Sequence, residues 1–432
     1  MSIFSERKRA RPGEKPRRHS GSAKFHMSKA AVTLTLENIY AMTAYRVHEF
    51  WVAQRWGSRD LVVCPHCGTI HEHPWRKEES RWKCAACDGT FSVTSGTPFD
   101  QHKRSLRQLL ALALTWVNGT SGVPALMVRR NTGGRYNCVF VNDHKLREAL
   151  MKIFNTGFVA GEVEMDGVHI SGRNAKGKRG KPQITQPNET VPVGSYTPEQ
   201  TAQVLQSQMQ AASTRASDKA REKRNKGKDS DGTYGQTLDK DRRIVICVRT
   251  RSGTKGVGAR ATRVVVGRTE GPIQVNEAIS KLVAVRESIL NTDKARAYIE
   301  PGRQFRQHLS VEHAKELVGP NGENTNLGEE FARRHKRSER GMYLNIEPKF
   351  QLDYAVESAW RSDTSRLGNG GQLAHLLAIA LRSGRSKYWR GYTRGKHRDF
   401  EFLAGEAPGL AKPSGPPKGR KPNSQMNGRP PR

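Results

Sequence analysis

The order of the sequence segments predicts an α/β fold for most of the chain, with two smaller regions in front of it. Three strand-like segments come first, and strands then alternate with helical segments as far as about residue 385. This order is typical of a layered domain in which helices cover a sheet. Two cysteine pairs and a helical block precede it, and 432 residues leave room for about three domains.

The elements follow one another along the chain in a simple order. The strand EVEMDGVHI is followed, after a long polar stretch, by IVICVRT and ATRVVVGRT, and a helical pattern then leads into the strand-like SILNTD. The predicted strands are 162–170, 244–250, 261–269 and 288–293. The predicted helices are 35–56, several within 103–153, 275–287, 326–338, 347–361 and 371–383, and short β-like segments lie within 61–93.

The charge of the chain points to a polyanionic partner. Lys and Arg number 74 against 41 Asp and Glu, which gives a net charge of +33. An enzyme of small acidic metabolites does not need so large an excess, whereas Lys and Arg gain affinity for a phosphate backbone by releasing its counterions. Nucleic acid is therefore the first predicted partner.

A membrane or secreted protein is disfavoured. No apolar run approaches the roughly 18 to 20 residues of a spanning helix, and the basic start of the chain has no apolar segment behind it. Six cysteines are too few for a secreted disulfide scaffold, and four of them form CxxC pairs. These features indicate a reducing, cytoplasmic compartment.

The two CxxC pairs predict a zinc site. Cys64 and Cys67 are separated from Cys84 and Cys87 by 16 residues, and each turn can place two thiolates on one ion. Four thiolates fill the tetrahedral shell of Zn²⁺ and leave no open position for water. The predicted zinc is therefore structural, and four unrelated buried thiols would not explain the paired spacing.

A second DNA-binding candidate follows the cysteines. Residues 122–141 read as a short helix, a Gly-containing turn and a further helix, which is the pattern of a helix-turn-helix. Arg129, Arg130 and Arg135 would then face phosphates or the major groove. Ordinary helix packing is the alternative.

Three separated carboxylates and one lysine form the catalytic candidate. Asp166 lies in a strand, Asp293 ends another, and Glu329 lies in a predicted helix, with 35 residues between Asp293 and Glu329. Lys336 follows Glu329 by seven residues, two helical turns along the same face. Such acids suit two Mg²⁺ ions about 4 Å apart that promote in-line attack on a phosphodiester, with the lysine holding a DNA phosphate. The alternative is that they are strand-end caps and a solvated helix acid.

Seven motifs follow one another along the chain: CPHCG, WKCAACDGTFSVTSGTPF, HKLREAL, VEMDG, TDKARAY, EHAKEL and NTNLGEEFARRHKRSERG. Through these motifs the chain resembles, from about residue 35 to 385, insertion-sequence transposases of the ISXO2-like group, which have a zinc ribbon before an RNase H-like DDE domain.

The resemblance implies roles for individual residues. It implies that Asp166, Asp293 and Glu329 bind two Mg²⁺ ions, or Mn²⁺, and that Lys336 is the basic residue that follows the triad. Some members use Asn in the third metal position, which leaves Asn326 as an alternative to Glu329. The zinc ribbon and helix-turn-helix would recognise transposon ends. The partner would be double-stranded DNA, which supplies both the transposon ends and the target site.

The resulting fold is an RNase H-like α/β catalytic domain behind a zinc ribbon and a helix-turn-helix-like domain. The predicted parts are a basic arm at 1–34, a helical lead-in with the zinc ribbon at 35–100, a helical DNA-binding domain at 101–158, the catalytic domain at 159–390 with a polar insertion at 172–241, and a basic Pro/Gly-rich tail at 391–432. The expected location is the nucleoid of a bacterium.

Three functions compete at this stage. The leading one is a DDE transposase that nicks insertion-sequence ends and joins the freed 3′-hydroxyl to target DNA, acting as at least a homodimer because two ends must meet. The second is a transposase-derived, sequence-specific DNA-binding protein whose chemistry has lapsed. The third is an RNA-processing enzyme on the same core, for which nothing in the sequence argues.

Overall fold

The computed structural model describes most of the chain between residues 25 and 405. The described residues are 25–171, 242–253, 258–311, 324–344 and 346–405. The polar insertion predicted at 172–241 lies outside them, with the helix that its capping pattern Thr197-Pro198-Glu199-Gln200 indicates to about residue 224. Most of the two predicted basic arms also lie outside them. The chain divides into two units, residues 1–170 with 243–432 and residues 171–242, and the account below concerns the first.

Two capped helices open the described chain. Helices α1 (Leu36–Ala41) and α2 (Ala44–Trp56) replace the single helix expected over 35–56. The break comes from a second cap: the hydroxyls of Thr35 and Thr43 each accept a backbone N–H of the helix that follows. Such caps satisfy donors that a helix start would otherwise leave unbonded.

Five short strands carry the cysteine turns. They are β1 (Val62–Val63), β2 (Ile70–His71), β3 (Trp75–Arg76), β4 (Arg81–Lys83) and β5 (Thr90–Phe91), in an antiparallel pair β1–β2 and an antiparallel sheet β3–β4–β5. Trp82 and Phe91 are buried between this sheet and α2, and their stacked rings lie 5.8 Å apart. The ring of Trp56 in α2 lies 5.2 Å from that of Trp82 and 6.3 Å from that of Phe91, and these contacts join the small sheet to the helical part.

Three helices follow the small sheet. They are α3 (Leu106–Val117), α4 (Ala125–Thr132) and α5 (Tyr136–Ala149), which continues as a π-helical turn at Leu150–Phe154. From Leu109 onward every residue of α3 is buried, so α3 is the central helix of this part.

The α/β region is built on one mixed five-stranded sheet. Its strands are β6 (Val159–Ser171), β7 (Arg242–Arg251), β8 (Ala259–Gly267), β9 (Val283–Asp293) and β10 (Gln307–Val311), in the order β10–β9–β6–β7–β8. Strand β9 is parallel to both β6 and β10, and β7 is antiparallel to β8. The mixed α/β class predicted from the sequence is confirmed.

Helices cover both faces of this sheet. They are α6 (Pro272–Leu282), the single turn α7 (Ile299–Gly302), α8 (Asn326–Arg337), α9 (Gln351–Asp363) and α10 (Asn369–Arg382). Val163 and Met165 of β6 join an apolar core with α6, whereas Val168 and Ile170 join the core that contains α9, α10 and α3. The result is a three-layer arrangement.

One boundary differs from the sequence prediction. The helix expected over 275–287 ends at Leu282, and residues 283–287 already belong to β9. Val283 pairs with Val159 of β6, so strand pairing extends β9 toward the helix. Tertiary pairing overrides the local helical pattern here.

Residues 391–405, assigned to the tail from the sequence, are packed against the sheet. Arg243 of β7 forms a bidentate ion pair with Glu401 at 2.5 and 2.6 Å, and the Ala404 N–H donates to the carbonyl of Val266 at 2.7 Å.

Among the helices of the described chain, none is long and apolar enough to cross a membrane.

Candidate active site and zinc site

The four cysteines of the knuckles meet at one point. Their Sγ atoms all lie within 4.8 Å of one another, with 3.8 Å between Cys64 and Cys87 and 3.6 Å between Cys67 and Cys84. Four thiolates at this spacing match the donor set of tetrahedral Zn²⁺. The cluster therefore fits the zinc ribbon that the spacing predicted, and it suggests a structural zinc site.

A buried histidine joins the two knuckles without belonging to the thiolate set. His73 accepts a hydrogen bond from the Ala85 N–H at 3.2 Å through Nδ1, and its Nε2 lies 3.3 Å from the carbonyl of Thr69. Because Ala85 lies in the second CxxC turn and Thr69 follows the first, His73 fixes one turn relative to the other.

The helix-turn-helix pattern is present as two helices joined by a glycine turn. Gly133 and Gly134 between α4 and α5 have φ of 68° and 89°, a region that L side chains rarely adopt. Arg129 donates to the Gly134 carbonyl at 3.1 Å, which holds the turn. Arg129, Arg130 and Arg135 are all exposed, so their predicted contact with DNA is sterically open.

Asp166 and Asp293 lie on neighbouring parallel strands. The register of β6 and β9 pairs Glu164 with Asn291, and two further residues along each strand bring Asp166 beside Asp293. Both side chains are half-buried. Asp293 is the last residue of β9, at the carboxyl edge where parallel sheets bind ligands.

Helix α8 brings Glu329 toward the same place. A methyl group on Gly328 would come within 2.6 Å of Cβ of Asp166, so only glycine allows this approach of α8 to β6. Glu329 is half-buried in the first turn of α8, whereas Asn326 is exposed at its first position. Lys336 lies half-buried near the other end of α8.

A buried glutamate fixes the start of α8. Glu164 is 1% exposed, and its Oε2 accepts the backbone N–H groups of Leu327 at 2.8 Å and Gly328 at 3.3 Å. Its Oε1 accepts from Arg251 Nε at 2.8 Å. A carboxylate at a helix N-terminus satisfies the free N–H groups and the helix dipole together. Glu164 therefore sets the distance between α8 and Asp166.

The structure adds a carboxylate that the sequence did not single out. Glu270 lies in the connection between β8 and α6, and its carboxylate occupies the space that a side chain on Gly167 would fill. The hydroxyl of Tyr298 donates to Glu270 Oε1 at 2.5 Å. No sequence motif includes Glu270. Its partner Tyr298 is the last residue of the motif TDKARAY, and that tyrosine was the one sequence feature that could have pointed to this contact.

The acids of this edge act on one another electrostatically. Burial and then the negative charges of Glu270 and Asp293 raise the pKa of Asp166 to about 7, and Glu329 adds to the shift. Burial and then the carboxylate of Glu270 raise the pKa of Tyr298, and Asp166 and Asp293 add to the increase. The hydroxyl of Tyr298 is therefore influenced electrostatically by the carboxylates of Glu270, Asp166 and Asp293.

Asp166, Asp293 and Glu270 have no Lys or Arg partner among the residues that the structure describes. Within the described residues, no Lys or Arg forms a salt bridge with Asp166, Asp293 or Glu270, and the imidazole Nε2 of His169 lies 3.6 Å from a carboxylate oxygen of Glu270. Their oxygen atoms do not form a group within 4.8 Å; in the described chain only the four cysteines do. The arrangement is an open cluster of acids that a bound cation would stabilise.

A family model matches the part of the chain that contains Asp293 and Glu329. Residues 215–363 match the model of the ISXO2-like transposase domain. This part of the chain is therefore similar to an ISXO2-like transposase domain. Curated proteins and solved structures gave no match.

The match covers some of the candidate site residues and not others. It includes Glu270, Asp293, Glu329 and Lys336 but neither Asp166 nor the cysteines, which precede residue 215. The predicted resemblance to the ISXO2-like group is confirmed, and similarity to a transposase domain indicates an enzyme that acts on DNA.

Proposed function

We propose that this protein is a DDE transposase that cleaves DNA strands at insertion-sequence ends and transfers them into target DNA. The observation that carries the proposal is the juxtaposition of Asp166 and Asp293 on parallel strands, uncompensated by any described cation, in a chain with a transposase domain. In a protein of net charge +33, buried acids without a cationic partner indicate a site for a metal ion.

Asp166, Asp293 and Glu329 would hold two Mg²⁺ or Mn²⁺ ions. When bound, such ions activate the attacking oxygen and stabilise the leaving oxygen of a phosphodiester. Glu329 is preferred to Asn326 because it lies beside Gly328, which contacts Asp166, and contributes to the electrostatic field there. Lys336 would bind a DNA phosphate further along α8.

The regions before the sheet would recognise DNA. The exposed Arg129, Arg130 and Arg135 surround the α4–α5 turn, and a structural zinc would hold the ribbon in shape. Because two transposon ends must be joined, the active form is at least a homodimer on DNA. The location that follows is the nucleoid in the bacterial cytoplasm.

The mixed sheet supports an RNase H-like assignment of the catalytic domain. In that domain, carboxylates on the first strand and its parallel neighbour share one edge, as Asp166 and Asp293 do on β6 and β9. The division at residue 159 follows from the same assignment, because β6 begins there.

The test begins with the DNA that flanks the gene. Terminal inverted repeats bounded by a short direct repeat would supply oligonucleotides that contain both ends. The zinc-loaded full-length protein is then assayed for Mg²⁺-dependent nicking and strand transfer, together with Asp166→Asn, Asp293→Asn and the control Glu287→Gln. Glu287 is an exposed acid on the strand that carries Asp293, so its replacement removes the same charge from the same element.

The outcomes separate the candidate functions. Cleavage by the wild type and Glu287→Gln that is lost in both aspartate variants supports the transposase. Equal cleavage by Asp166→Asn would overturn it. Tight, zinc-dependent binding of the ends with no cleavage in Mg²⁺ or Mn²⁺ would favour the lapsed, DNA-binding alternative.

A further inference from the structure

We propose that Glu270 is a fourth carboxylate of the divalent-cation site, and that Tyr298 is the positioning residue that holds it there. This inference rests on the proposed function, because it adds a residue to the metal site of Asp166 and Asp293. The three sequence-predicted acids do not include Glu270, which lies outside every motif that identifies the family.

The position of Glu270 follows from a glycine on the central strand. Gly167 directly follows Asp166, and its missing side chain leaves the space that the carboxylate of Glu270 occupies. Any larger residue at 167 would expel this carboxylate. Glu270 is therefore held against β6 one residue from Asp166, although its own backbone lies between β8 and α6.

Tyr298 links Glu270 to the second aspartate. Asp293 ends β9, and the chain turns through the 3₁₀ helix Arg296–Tyr298 so that the tyrosine hydroxyl reaches Glu270 at 2.5 Å. The tyrosine ring is fully buried in the core beneath α6. A rigid ring on the segment that follows Asp293 thus fixes the carboxylate of Glu270 near both aspartates.

A purely structural role explains these contacts less well. A glutamate that only fixed the start of α6 would be expected to accept backbone N–H groups there, as Glu164 does at α8. The side chain of Glu270 is instead 17% exposed, and its only described partners are the hydroxyl of Tyr298 and the exposed His169. One of its oxygens therefore has room for a further ligand.

A second observation, on the face of β9 that carries Asp293, also indicates a polar ligand nearby. Asn291 is 2% exposed and precedes Asp293 by two residues, so both side chains lie on the same face of the sheet. Neither amide atom of Asn291 has a hydrogen-bond partner within the described chain. Buried amides are rarely left unbonded, so a water or a hydrated ion beside Asp293 would satisfy it.

The test measures metal affinity in the absence of DNA. Mn²⁺ is titrated into zinc-loaded full-length protein and followed by the electron paramagnetic resonance signal of free Mn²⁺ and by calorimetry. The variants are Glu270→Gln, Tyr298→Phe, Asp166→Asn and the matched control Glu287→Gln. Tyr298→Phe keeps the buried ring and removes only the hydroxyl, so it tests positioning without opening a cavity.

We expect Glu270→Gln and Tyr298→Phe each to weaken Mn²⁺ binding by about 10-fold or more, the range seen when residues that orient metal ligands are removed. Glu287→Gln should bind as the wild type does, and circular dichroism should show all variants folded. Unchanged affinity in Glu270→Gln, with affinity lost in Asp166→Asn, would overturn this inference and leave the proposed function intact. Wild-type affinity in Asp166→Asn would overturn the proposed function as well.

Discussion

Two groups of buried carboxylates in this protein have opposite surroundings. Between α5 and α9, Glu357 accepts hydrogen bonds from Arg147 at 2.7 Å, Arg361 at 2.8 Å and Tyr343 at 2.7 Å. At the carboxyl edge of the sheet, Asp166 and Glu270 face other acids. Glu357 therefore has two arginine partners, whereas Asp166 and Glu270 have no Lys or Arg partner among the described residues.

The pKa values show the consequence. Burial opposes the ionisation of Glu357, but Arg147 and Arg361 outweigh it and lower its pKa. Burial and neighbouring acids both raise the pKa of Asp166. Glu357 is thus a stabilising part of the interface between two helices, whereas Asp166 destabilises the protein until a cation arrives. Burial alone does not distinguish a structural acid from a functional one; its partners do.

The largest expected effect comes from breaking the compensated group. Glu357→Gln leaves two buried arginines without their carboxylate, which should lower the free energy of unfolding by about 3–5 kcal/mol. Guanidinium unfolding followed by circular dichroism measures this loss. The loss should be the same with and without Mg²⁺; a loss that Mg²⁺ reverses would place Glu357 in the metal site and remove the contrast.

The opposite sign is expected at the sheet edge. Between pH 4 and 7 the unfolded chain releases the Asp166 proton while the folded chain keeps it, so rising pH lowers stability through this window. Asp166→Asn removes that loss. Without added Mg²⁺, the variant should be more stable than the wild type at pH 8, by up to about 4 kcal/mol. This difference in stability should be smaller at pH 5.5. Melting curves of zinc-loaded protein at both pH values measure the difference, and a destabilised variant at pH 8 would contradict the account.

The approach of α8 to the acids can be tested with one methyl group. Gly328→Ala places Cβ within 2.6 Å of Asp166, whereas Gly341→Ala meets nothing within 4 Å. We expect Gly328→Ala to cost about 1–3 kcal/mol through overpacking and to weaken Mg²⁺ binding, and Gly341→Ala to do neither. Calorimetric Mg²⁺ titration of both variants compares them, and equal affinities would mean that α8 does not help to form the site.

The smallest effect should come from the glutamate beside the aspartate. Glu164 lies two residues from Asp166 but is compensated by Arg251 and the start of α8. Glu164→Gln should therefore lower stability by about 1–2 kcal/mol, as loss of a charge-assisted cap does. Urea unfolding at pH 8 checks the sign, which must be opposite to that of Asp166→Asn. If Glu164→Gln were more stable than the wild type, the position of an acid on β6, and not the partners of that acid, would determine whether its neutralisation stabilises the protein.

Patterns that are local in sequence could be predicted, and contacts between distant segments could not. The cysteine spacing predicted the zinc ribbon, and the order of strand and helix patterns predicted an α/β domain and most of its helices, but not that its sheet is mixed. Glu270 stands in a connection without any pattern, and only the folded chain brings it to Gly167. The same holds for Arg147 in the motif HKLREAL, whose partner Glu357 lies 210 residues away.

The central claim is that the acids at the sheet edge bind a divalent cation. An anomalous difference map from crystals of the zinc-loaded protein soaked in MnCl₂ tests it most directly. The account predicts manganese peaks beside Asp166 and Asp293, none beside Glu357, and a zinc peak among the four cysteines as the internal control. A clear zinc peak with no manganese at the sheet edge would contradict it.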